Sequence, residues 1–74
     1  MGAVVMPYAR NADLPPAVRN HLPEHAQDIF REAFNSAYDD HRTESDVEER
    51  SFRIAWAAVK RAGYVKHGDH WVRG

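Results

Sequence analysis

The chain reads as a mostly α-helical mini-domain: a short N-terminal helix, two long antiparallel helices, and a small C-terminal β-hairpin packed on them. Three observations predict this. Residues 23–41 repeat apolar side chains at three- and four-residue steps, the period of one helix face. Residues 45–63 do so again over a wider arc and stop on a glycine. The last ten residues then place aromatic and β-branched side chains on either side of His67-Gly68-Asp69, the composition of a tight hairpin.

Residues 1–5 read as an N-terminal extension, and residues 6–74 as a single domain. Residues 6–12 are expected to run extended, because Pro7 fixes its own φ and steers Met6 away from helix. Asp13 stands as N-cap before Leu14-Pro15-Pro16, where prolines are tolerated in the first turn. The first helix therefore spans about Pro15 to Asn20, and Leu22-Pro23 ends it.

Pro23 restarts the chain as the first residue of the second helix. Ala26, Ile29, Phe30, Ala33, Phe34, Ala37 and Tyr38 share its apolar face, which places Ala33 in the helix–helix seam. Glu24, Asp28, Glu32, Asn35 and Asp39 line the opposite side, and the helix runs to about His41. Ser45-x-x-Glu48 has the form of a capping box opening the third helix. Val47, Ile54, Ala55, Ala58 and Ala62 form its apolar side, broadened by Phe52, Trp56 and Val59. Arg50, Arg53, Lys60 and Arg61 fall on the remaining arc. An apolar arc this wide needs cover on two sides: the second helix supplies one, and the hairpin must supply the other. Trp71 or Tyr64 packing on Trp56 or Phe52 would provide it, since an isolated two-stranded ribbon is marginal in water.

Composition limits the chemistry. Seventy-four residues leave little room for a deep pocket beside a core. Cysteine is absent, which removes disulfides, thiolate zinc sites and cysteine nucleophiles. The longest apolar run, Ile54 to Val59, cannot cross a bilayer. The start of the chain lacks a signal-peptide pattern, and Met6 stands where a myristoylation motif requires Ser or Thr. A cytoplasmic monomer without membrane insertion is expected. Net charge is −1, unevenly spread: residues 24–49 hold nine acids against Arg31 and Arg42, whereas residues 50–74 hold six bases against Asp69.

Met6-Pro7-Tyr8, Leu14-Pro15, Leu22-Pro23-Glu24-His25-Ala26-Gln27, Ala33-Phe34-Asn35-Ser36-Ala37 and Ala55-Trp56-Ala57-Ala58-Val59-Lys60 resemble the ChaB family, in the family's order and over nearly the whole chain. The chain departs from that pattern in Met1–Val5 and in a short acidic connection, His41 to Glu49. The resemblance implies a small cytoplasmic protein of a family named as regulators of a sodium/calcium-proton antiporter. Similar proteins also occur in phages and insect viruses, sometimes beside nucleic-acid-binding modules. No catalytic or binding residues come with it.

The residues themselves point away from catalysis. Ser36 and Ser51 lie on helices without a base beside them, and the acids of the second helix are spaced as a solvated face, with Arg31 within reach of Asp28. The acidic stripe cannot wrap a hard cation. His21, His25, His41, His67 and His70 suit polar surface roles better than a metal site, because Pro23 interrupts the first pair and a turn at His67-x-x-His70 fixes no tetrahedral geometry. Catalytic, cofactor-binding and metal residues are therefore expected to be none. The candidate interaction surface is Arg50, Arg53, Lys60, Arg61, Lys66, Arg73 and Trp71. Two readings share it: a regulatory adaptor contacting a protein, such as the cytoplasmic face of an antiporter, and a nucleic-acid-associated accessory protein.

Overall fold

The two apolar repeats become the two long helices. In the computed structural model, which describes residues 6–74, α2 spans Glu24–Asp40 and α3 spans Val47–Arg61. A short α1, Pro16–Arg19, precedes them, and β1 (Tyr64–His67) and β2 (His70–Arg73) follow as one antiparallel hairpin. The extension expected at residues 1–5 lies outside the described residues.

Helices α2 and α3 pack as a helical hairpin around Ala26, Phe30, Phe34, Ala55 and Val59. Leu14, Val18 and Leu22, from the segment before α2, complete the buried cluster together with Tyr64 from β1. Rings dominate it. Phe30 meets Trp56 edge-on at 5.0 Å and Phe34 meets Phe52 likewise at 4.9 Å, geometries that the ring quadrupole favours. The second cover for α3 is where the width of its apolar arc placed it: Trp71 stacks on Trp56, centroids 5.2 Å apart.

Gly63, at φ 99°, ends α3 in the left-handed region and frees the chain to turn into β1. Gly68 has φ 66° and opens a two-residue turn with Asp69, and none of the described non-glycine residues has positive φ. This is the pattern of a type II′ hairpin turn, which requires glycine first.

Several local expectations fail. Asp13 does not cap α1. It closes a 3₁₀ turn, Asn11–Asp13, by accepting the Arg10 N–H at 3.2 Å, and Pro15 occupies the N-cap position. Residues 6–12 are consequently not extended throughout. Ser45-x-x-Glu48 forms no capping box; α3 begins at Val47, behind Asp46, with no side-chain cap. Arg50 instead ties the connection down, its guanidinium 3.3 Å from Glu44 and 3.8 Å from Asp46.

Asn35 is the clearest departure. Expected on the polar side of α2, it is buried, and its amide clamps both backbone groups of Tyr8. The Tyr8 N–H donates to Oδ1 at 3.2 Å and Nδ2 donates to the Tyr8 carbonyl at 2.8 Å. One side chain thereby satisfies a donor and an acceptor that the incoming segment would otherwise bury unpaired. Asn11 joins the same segment to α2 through side chains alone, donating to Asp28 at 2.6 Å and accepting from Arg31 at 2.8 Å. Asn35→Ala should cost about 2 kcal/mol, two modest hydrogen bonds with the Tyr8 groups left orphaned. A urea titration measures that loss, and faster proteolysis at Arg10 should accompany it; unchanged values would show that the clamp is idle.

Tyr8 itself lies over Phe34, centroids 4.9 Å apart. Burial holds its hydroxyl protonated above the ordinary tyrosine range, with smaller contributions from Glu48 and Tyr38.

Candidate interaction surface

The hairpin sets the geometry of this surface, and two histidines hold the hairpin. In a two-residue turn, His67 and His70 form the first hydrogen-bonded pair, so the backbone groups of Lys66 and Trp71 point away from the partner strand. The outward Trp71 N–H donates to the His21 carbonyl at 2.9 Å. The His21 ring contacts the Asp69 carbonyl; since a carbonyl only accepts, Nδ1 must carry the proton. The outer edge of β2 is therefore tied to the loop before α2. On the other strand, His25 Nδ1 lies 2.8 Å from the Tyr64 hydroxyl. These roles were not readable in sequence, because the partners stand 48 and 39 positions away.

Strand alternation separates the two hairpin faces. Tyr64, Lys66, Trp71 and Arg73 share the face that carries Trp71 onto Trp56, while Val65, His67, His70 and Val72 share the other. Val65 and Val72 are directly paired, and both are exposed.

The candidate basic residues do not form one stripe. Arg50 is engaged by Glu44 and Asp46, and Arg53 lies 3.8 Å from Glu49, all at the start of α3. Arg61 lines a shallow groove of about 350 Å³ between α2 and α3, together with Ala33, Ala37, Asp40 and Ala58. Arg73 sits over the Tyr64 ring, 5.8 Å from its centroid, at the edge of cation–π range. Only Lys60, Lys66 and Trp71 come together. With Tyr64 and Val65 they line a cleft of about 600 Å³ beside β1. Neither Lys60 nor Lys66 has an acidic partner among the described residues.

Trp71 has two sides. Beyond its stack on Trp56, it faces a second cleft of about 350 Å³ bordered by Ala17, His21, Lys66 and Asp69. Among the described residues, no group of three or more His, Asp or Glu side chains is arranged to hold a metal ion. Nor is any helix among them long and apolar enough to cross a membrane.

These features define a small helical-hairpin domain with an aromatic interior, shallow clefts and a basic, aromatic end at its C-terminal ribbon. The ChaB family model matches residues 14–73, and the chain belongs to the ChaB family. A protein of Escherichia coli K12 named "Putative cation transport regulator ChaB" is 46% identical over 72 residues, covering 89% of this chain and 95% of that one. A protein of the same name from Shigella flexneri matches to the same extent. The NMR solution structure of ChaB aligns with a TM-score of 0.81 at 44% identity, covering 92% of this chain and 99% of the other. The three helices and the terminal hairpin are thus the family's architecture.

Proposed function

We propose that the chain is a non-enzymatic regulatory module that works by protein–protein contact through its Lys60–Lys66–Trp71 end. The name its relatives carry suggests the process, cation transport. The finer form of the proposal places the partner at the cytoplasmic face of a sodium/calcium-proton antiporter. One observation supports the protein-contact reading above others: two lysines without acidic partners flank an aromatic and aliphatic cleft beside a pinned β-ribbon. Such a mixture suits a polypeptide, which can offer apolar side chains and carboxylates together.

A phosphate backbone suits this end less well. Arg50 and Arg53 would have to surrender carboxylates to contribute, which leaves a small, divided set of cations. The test is capture of partners by wild type and by Lys60→Glu/Lys66→Glu, from membrane and soluble fractions at low and moderate salt. The double variant should lose a wild-type partner, and labelled DNA duplex should show no binding that falls steeply with salt. Identical partner sets for the two proteins would remove this end from the proposal.

A further inference from the structure

The two edges of the terminal ribbon are not equivalent. The β2 edge is covered in part by the loop before α2, with the Trp71 N–H on the His21 carbonyl and the His21 ring on the Asp69 carbonyl of the adjoining turn. Among the described residues, nothing pairs with the β1 edge. Because Lys66 pairs with Trp71 in a non-hydrogen-bonded position, its N–H and C=O point away from β2, and neither meets another group among the described residues. An open edge is a template for a further strand.

What lies beside that edge narrows the occupant. The cleft lined by Lys60, Tyr64, Val65, Lys66 and Trp71 offers apolar and aromatic walls with a cation at either side and no acid in its lining. Lysine on an edge deters an uncharged or basic strand and favours an acidic one. We propose that β1 takes up an extended, acidic peptide segment of a partner protein as a third strand. Its backbone pairs with Lys66, and the side chains on the face shared with Tyr64, Lys66 and Trp71 bring apolar groups into the cleft and carboxylates to Lys60 and Lys66. The proposal rests on the protein-contact reading above and names the kind of partner it implies.

The sharpest test uses the direction of one N–H. Lys66→Ala removes the charge and keeps the N–H; Lys66→Pro removes both, and leaves every β1–β2 hydrogen bond in place because that N–H never faced β2. The probe is a short fluorescent peptide with Glu and Val at every second position and Thr between them, so that both types share one strand face, with a Lys/Val peptide of the same spacing as control. Lys66→Ala should weaken Glu/Val binding severalfold, and Lys66→Pro by about tenfold more, the value of one backbone hydrogen bond. The near-UV signal of the Trp56–Trp71 stack reports whether each variant keeps its fold. Independently of any variant, bound peptide should slow hydrogen exchange at the wild-type Lys66 amide.

Equal affinity of the Ala and Pro variants, no added protection at Lys66, or equal binding of the Lys/Val peptide would overturn strand addition. So would self-association through the same edge, which would make the occupant a second copy of this chain. If Lys60→Glu/Lys66→Glu loses a cellular partner while the peptide fails, strand addition alone falls. If the partner is indifferent to that variant, the protein-contact reading of this end falls as well.

Discussion

Ala55→Asp should leave the chain unfolded at room temperature. Ala55 is wholly buried in the α2–α3 cluster, which contains no cationic side chain to pair with a carboxylate. Burying an unpaired charge costs several kcal/mol even after relaxation. A domain of this size has about that much stability in total. The expected result is loss of the helical circular-dichroism signal without a cooperative melt, whereas Ala55→Ser should melt a few degrees below wild type. Ala33→Asp makes the instructive contrast. Ala33 was expected in the seam but is only half-buried, on the wall of the groove that Arg61 also lines. A carboxylate there keeps access to water and a cation, so that variant should fold with a lowered midpoint. Cooperative melting of Ala55→Asp near the wild-type temperature would mean that the two helices do not meet as described.

That contrast shows which signals a sequence carries. Periodicity located both long helices within a residue or two, because an apolar face must recur at the helix pitch whatever it packs against. Gly63 and Gly68 were legible for a related reason: both sit at positive φ, where other residues are strained. Capping motifs were less reliable. Ser45-x-x-Glu48 and Asp13 satisfy a local rule, yet neither caps a helix, and the chain around each is held by Arg50 or Arg10. Asn35, His21 and His25 were illegible, since each takes its meaning from a segment far away in the chain.

The candidate surface was readable to the same degree. Helical spacing placed Arg50, Arg53, Lys60 and Arg61 on one arc, and all four do lie away from the buried face of α3. Spacing could not say that Glu44 of the α2–α3 connection would reach Arg50. It could not say either that Trp71 would bring Lys66 beside Lys60. A basic half in a sequence is therefore a set of candidates, and local pairing divides them into spent and unspent charge. Arg50 ties down the turn between the long helices and Arg53 pairs within α3, while the unspent lysines flank the ribbon.

Phe30→Ala should be the most damaging truncation. Phe30 is fully buried and lies within ring contact of Phe34, Phe52 and Trp56. Removing it takes away one transfer term and opens a cavity whose walls come from both long helices, so neither helix can close it alone. Such truncations cost about 3–5 kcal/mol, again comparable with the whole stability of a chain this short. Phe30→Leu should cost less than half as much, since it keeps most of the volume and loses chiefly the edge-on contact with Trp56. Urea titrations followed by tryptophan fluorescence separate the two variants: a modest shift of midpoint at constant slope for Leu, and no folded baseline for Ala. The consequence extends to the ribbon, because Phe30 supports Trp56 and Trp56 is the platform on which Trp71 stacks. A folded Phe30→Ala protein with an intact Trp56–Trp71 signal would show that the ribbon is carried by its His21 and His25 ties instead of by the core.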